Sequence, residues 1–227
     1  YMIKNNGKFI IKFEKEDEEF VKNLNWKRLD NGYNKAKEFF EYEGEISPIR
    51  INLIYSPEEY LFFSGYQKHE SWMRACATNN NTIIIFAPSI VEKYTIHKKD
   101  DILETLIHEI THYFYGYSCM RKNLTKLPLW DEGIANYIAE KKFDYEIDFE
   151  FSTLKNFTDH SSKNYIGGYK LIEAIIKKFG IEGNKRIIEF LKNSSLEMSE
   201  NELFSLFKKI FEIDVNSLIE LKGGIKR

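Results

Sequence analysis

The 227-residue chain has little of several things that would settle its class at once. It has two cysteines, Cys76 and Cys119, in no CxxC pair, which argues against a disulfide framework. Buried free thiols are the expected state, with a single Cys76–Cys119 bridge the alternative. No apolar run approaches twenty residues, so nothing in the sequence reads as a membrane-crossing helix. The net charge is only −2, which gives no strong field to attract nucleic acid. The N-terminus has no signal-peptide apolar stretch, so the expected location is cytoplasmic, or exported with the signal removed. There is no G-x-S-x-G, and neither cysteine has a motif histidine, so no serine or cysteine nucleophile is in view. What is present is 43% hydrophobic and 15% aromatic residues, ample for a core and unlike a disordered chain. One domain, or one domain with two lobes, is expected at this length.

Against that background one stretch stands out: His108-Glu109-Ile110-Thr111-His112, or H-E-x-x-H. On a helix, two histidines four apart lie one turn apart on the same face. Two neutral imidazoles there can reach one Zn²⁺. Glu109, beside them, is placed to take a proton from a zinc-bound water. The flanks read as helix: Asp100 or Asp101 can cap its start, and Gly116 can end it. Leu103, Ile107, Ile110 and Phe114 recur at three- and four-residue steps and predict one buried face. A pair of core histidines is the plainer alternative.

Zinc needs a third protein ligand, with a fourth position for water. Glu132, in Leu129-Trp130-Asp131-Glu132-Gly133-Ile134-Ala135, is the candidate; it lies far enough past His112 for one helix to end and another to start after Pro128. The plainer reading is an ordinary first-turn glutamate. H-E-x-x-H followed by W-x-E-G-x-A resembles the gluzincin metallopeptidases, the group of thermolysin and the membrane alanyl aminopeptidases. The resemblance implies one zinc per chain on His108, His112 and Glu132, with Glu109 as general base. The resemblance covers roughly residues 45–215 and implies an α+β zincin fold, with 1–227 expected as a single domain. A small lobe, 1–143, would carry a mostly antiparallel sheet and the zinc-binding helices, and a helical lobe, 144–227, would follow.

Taken in order, 2–13 reads as a strand, and Glu14 to Leu24 and Gly32 to Tyr42 as amphipathic helices. Ile49 to Tyr55 alternates as a strand. Ser56-Pro57 opens a short helix that Gly65 closes. Residues 71–78 and 82–87 form a hairpin around Asn79-Asn80-Asn81. In gluzincins an edge strand at this place pairs with substrate backbone; that role maps here to 73–78, with Ala75 and Ala77 as the binding residues, against an ordinary structural hairpin. The G-x-M-E-N stretch that holds the substrate amino terminus in membrane alanyl aminopeptidases is absent. Residues 144–164 read as a loop lining or covering the cleft. Helices follow over Tyr165–Phe179, Asn184–Leu191, Glu200–Phe211 and Asp214–Leu221, the third with a capping box from Ser199.

The resemblance also implies groups around the metal. Thermolysin-like enzymes place partners of the ligands immediately before and four residues after the glutamate, here Asp131 and Asn136; Asp131 as a simple helix cap is the alternative. Tyr165-Ile166-Gly167-Gly168 resembles the Y-x-x-G stretch whose tyrosine faces the oxyanion, with Gly167 where Lys or Gln is usual. Tyr165 is therefore the expected donor, Tyr169 the second choice and His160 the third. His69 and His97 read as surface or loop histidines. The expected activity is zinc-dependent hydrolysis of a peptide or protein substrate, on internal bonds or short peptides rather than as an aminopeptidase. Zinc hydrolysis of a non-peptide bond is a further option, and a non-catalytic peptide- or protein-binding module on the same fold is the alternative from another class.

Overall fold

Short apolar strands and longer amphipathic helices share the chain, and the computed structural model describes all of it except residues 45, 79, 142, 144–150, 156–161 and 221–227. Chain contacts divide it into two units: Tyr1–Lys35 with Glu43–Tyr113, and Ala36–Tyr42 with Phe114–Arg227.

The first unit is built on a mixed five-stranded sheet. Its strands are β1 (Met2–Asn5), β2 (Phe9–Phe13), β3 (Ile49–Ile54), β4 (Ala75–Thr78) and β5 (Thr82–Phe86), in the spatial order β1-β2-β3-β5-β4. The stretch expected as one strand over 2–13 is a hairpin, because Gly7 at φ 92° turns the chain between β1 and β2. The sheet is not mostly antiparallel. The outer pairs, β1–β2 and β4–β5, are antiparallel, but β2–β3 and β3–β5 are parallel. Parallel neighbours need a crossover, and helices supply it: α1 (Glu18–Asn23) and α2 (Trp26–Phe39) between β2 and β3, and α3 (Pro57–Ser64) between β3 and the hairpin. The consequence is visible in β5, where Ile83, Ile84, Ile85 and Phe86 are all buried, as in a strand covered on both faces.

Local signals held where they are self-contained. Ser56 Oγ accepts the Glu59 N–H at 3.2 Å, and Gly65 at φ 76° closes α3. Asn80 and Asn81 take φ of 63° and 54° in the β4–β5 turn. Past α4 (Val91–Tyr94), helix α5 (Ile102–Lys122) carries the H-E-x-x-H motif. It does not stop at Gly116: a Cβ there would meet nothing within 4 Å, and the helix runs on until Asn123 at φ 53°. Its buried face is Ile102, Leu106, Ile107, Ile110 and Phe114, with Leu103 only half-buried. Gly32 lies inside α2 rather than at its start. A Cβ there would come within 2.6 Å of Ile107, so α2 and α5 cross closely at this glycine.

The second unit is helical: α6 (Pro128–Ile138), α7 (Ser162–Phe179), α8 (Ile181–Asn193), α9 (Glu200–Phe211) and α10 (Val215–Glu220), with the last two turns of α5. Its core is aromatic. Trp130 is fully buried, stacks on Phe190 at 4.6 Å, and donates its indole N–H to the Leu154 carbonyl at 3.0 Å. Phe207 and Phe211 stack at 4.3 Å beside it. Ser199 and Glu202 form the expected capping box. Both cysteines are free and half-buried. Among the described residues no helix is long and apolar enough to cross a membrane.

Candidate metal centre

On α5 the helical period alone puts His108 and His112 side by side. Their Nε2 atoms lie 3.0 Å apart, with the rings edge to face at 84°. Two imidazole nitrogens facing each other at that distance must share something, either a proton or a cation. The ligand-capable atoms of His108, His112 and Glu132 all lie within 4.8 Å of one another. All three side chains are half-buried.

Glu109 does not join that group. It is 8% exposed, and its Oε2 accepts the Ala77 N–H at 2.8 Å. One turn on, the Tyr113 hydroxyl donates to the carbonyls of Thr78 at 2.9 Å and Thr82 at 2.6 Å. Two side chains a helical turn apart therefore fasten α5 to the backbone of β4 and to the first residue of β5. Tyr113 had not been singled out from the sequence; its four-residue spacing from Glu109 was the available signal.

The edge position of β4 follows from the sheet order. The Phe86 N–H to Arg74 carbonyl bond, 3.0 Å, sets the alternation. Arg74, Cys76 and Thr78 turn their backbone groups toward β5, while Ala75 and Ala77 turn theirs off the edge. Two of those outward groups are taken. Glu109 holds the Ala77 N–H, and the buried Tyr60 hydroxyl donates to the Ala75 carbonyl at 3.1 Å. The Ala75 N–H and Ala77 carbonyl remain on the outer side, the latter touched by the Cys76 thiol at 3.6 Å.

Charge around Glu109 is visible in its neighbours. Burial, then the Glu109 carboxylate, pushes the Cys76 thiol up to about 11. Burial raises Tyr60 well above its ordinary value, with Cys76 and Glu109 adding. Burial draws the Arg74 guanidinium down, against Asp101, Glu109 and Glu104 pulling it up; its Nη1 sits 3.4 Å from the Asp101 carboxylate.

Glu132 lies in the second turn of α6, whose first residue is Pro128, where a missing N–H costs nothing. The next residue, Gly133, sits at a backbone crossing. A Cβ on Gly133 would lie 2.6 Å from the Gly168 carbonyl, and one on Gly168 would lie 2.6 Å from the Leu129 carbonyl. No side chain fits at either position. This crossing brings into direct backbone contact the helix of Glu132 and the helix whose first turns hold Tyr165.

Of the remaining predicted residues, Asp131 is 6% exposed and pairs with Lys126 at 3.1 Å. Burial pulls Lys126 down, but Asp131, with Cys119 and Glu132 behind it, outweighs this and the net shift is upward. Asn136 is fully buried, and neither its amide oxygen nor its amide nitrogen has a hydrogen-bond partner. A buried amide left so is costly, so its position four residues after Glu132 calls for a reason. Tyr165 is half-buried on α7. Tyr169, one turn on, gives its hydroxyl to Glu173 at 3.3 Å. His69 and His97 contact the Met73 and Trp72 carbonyls at 3.0 and 2.8 Å, both structural contacts. His160 lies outside the described residues.

Compared with known protein families and with curated protein sequences, the chain matches none.

Proposed function

We propose that this chain is a zinc-dependent peptidase of gluzincin type, with one zinc on His108, His112 and Glu132 and with Glu109 as general base. The observation that carries the reading is the pair of imidazole Nε2 atoms 3.0 Å apart, with a carboxylate completing the group within 4.8 Å. The donor set fits: two ligand atoms about 2.0–2.1 Å from a tetrahedral zinc stand roughly 3.3 Å apart, so small ring adjustments suffice. The orphaned Asn136 amide points the same way, as a group expected to contact the ligands of a loaded site. When bound, zinc would lower the pKa of a coordinated water and polarise the scissile carbonyl.

The chain's own residues do the rest. The Ala77 N–H fixes Glu109 through Oε2, so Oε1 is the oxygen that accepts the water's proton and passes it to the leaving amine. The Tyr165 hydroxyl donates to the oxygen on which negative charge develops; a phenol suits this, being neutral at pH 7. On β4, the Ala75 N–H and Ala77 carbonyl offer one donor and one acceptor to an extended peptide.

The decisive experiment combines metal content with peptide cleavage. Purified protein should contain about one zinc per chain and cleave members of a mixed peptide library, and chelation should stop cleavage. Glu132→Ala should fold yet lose the metal; stoichiometric zinc of undiminished affinity in that variant would remove Glu132 from the site. Glu109→Gln should keep zinc and fold while losing activity by roughly 10²–10⁴-fold. Zinc without any cleavage would favour a binding module instead.

A further inference from the structure

A second cluster, in the helical unit, is of a kind that apolar packing does not call for. Tyr137 on α6 and Tyr169 on α7 face each other with ring centroids 6.4 Å apart, and Phe143 joins Tyr169 at 5.3 Å. Glu173 closes the group, taking the Tyr169 hydroxyl at 3.3 Å. The buried neighbours on the same helices, Ile134, Ile138, Ile166 and Ile172, are at most 4% exposed. The four cluster residues are instead only half-buried, so their rings and carboxylate keep open surface.

The carboxylate's field reaches both phenols. Burial, then Glu173, pushes Tyr169 up to about 12, and the same two causes in the same order raise Tyr137. Ring faces carry negative potential, and a carboxylate among them adds a full charge; the complement of that arrangement is an organic cation. The chain already makes such a contact on this cluster: the Lys141 ammonium lies 5.4 Å from the centroid of Phe143. The crossing at Gly133 and Gly168 brings the helices that carry Tyr137 and Tyr169 into backbone contact.

Tyr165, Tyr169 and Glu173 fall at four-residue steps and share one face of α7. The stripe starts at the proposed oxyanion donor and ends, eight residues and about 12 Å along the helix axis, at the carboxylate. An extended peptide rises about 3.3 Å per residue, so such a span covers three or four residues, less the reach of a long side chain.

We propose that Tyr137, Phe143, Tyr169 and Glu173 form a subsite for an organic cation, the lysine or arginine side chain of a peptide substrate two to three residues from the scissile bond. This rests on the peptidase reading for its role, but the subsite can be tested without it.

The test uses the zinc-loaded protein and fluorogenic peptides, acetylated and amidated at their ends, that differ only by lysine or norleucine at one scanned position. A third set carries norleucine and a free amino terminus. At one position lysine should raise kcat/KM roughly tenfold over norleucine, the order expected for a partly desolvated cation over aromatic rings. That ratio should collapse in Glu173→Gln and in Tyr169→Leu. No lysine preference at any position, or a preference that survives Glu173→Gln, would overturn the proposal. So would a gain confined to the free amino terminus, which would make the cation a chain end rather than a side chain. The same lysine and norleucine peptides titrated calorimetrically into Glu109→Gln protein separate the two readings. Lysine-dependent binding that Glu173→Gln abolishes keeps the subsite; if the parent protein with Glu109 intact hydrolyses none of these peptides, only the peptidase reading falls. Equal binding of both peptides sinks the subsite.

Discussion

The two stretches that carry the proposed ligands are held by opposite means. The H-E-x-x-H turn of α5 is fastened by side chains: Glu109 and Tyr113 each reach the backbone of β4, and Tyr113 also the first residue of β5. Glu132 is fastened by the lack of side chains, on a helix whose backbone touches that of α7 at Gly133 and Gly168. A hydrogen bond of the first kind contributes on the order of 1 kcal/mol and can be lost singly. A backbone crossing leaves no room to adapt, because an added methyl must push two helices apart. The motif that is easiest to read is thus set on the more forgiving support.

Four substitutions sharpen or break this contrast. The largest effect is expected at Tyr165, on the crossing helix. Tyr165→Phe should lower kcat by roughly 10–10³-fold with zinc content and KM little changed, since the bond forms mainly in the transition state. Tyr169→Phe should be far milder toward uncharged peptides. If the two effects are reversed, the donor lies one turn further along α7.

Gly168→Ala comes next. The cost of overpacking is about 1–3 kcal/mol, read as a lower denaturant midpoint. Because the same crossing sets both Glu132 and Tyr165, zinc affinity and kcat should fall with it. A Gly168→Ala protein of parental stability and zinc affinity would show that the crossing is not what positions Glu132.

The smallest effect belongs to Tyr113→Phe, which removes one hydroxyl from two carbonyls. About 1 kcal/mol of stability should go, with zinc content unchanged. A loss of zinc in Tyr113→Phe would mean that α5 is as unforgiving as the crossing, and the contrast would fail.

What the sequence made legible follows the same line. Features whose cause is local were readable: the Ser56 cap and Gly65 stop, the asparagine turn, the Ser199 capping box, and the histidine pair. Features whose cause is a distant neighbour were not. Gly116 looked like a helix end but sits unopposed in mid-helix, while Gly32 lies inside α2 because Ile107 presses against it. The two parallel pairings of β3 depend on where the helices carry the chain, which no strand's own alternation records. Gly133 and Gly168 stood within the recognised stretches, yet their steric reason appears only when α6 and α7 are seen to touch.

The half-occupied edge of β4 bears on colloidal behaviour as well as chemistry. A fully open edge is a template on which further chains stack, strand upon strand, into aggregates. Here Tyr60 and Glu109 each silence one outward backbone group, and the strand is only four residues long. What remains open on so short a strand is too little for a ladder that propagates.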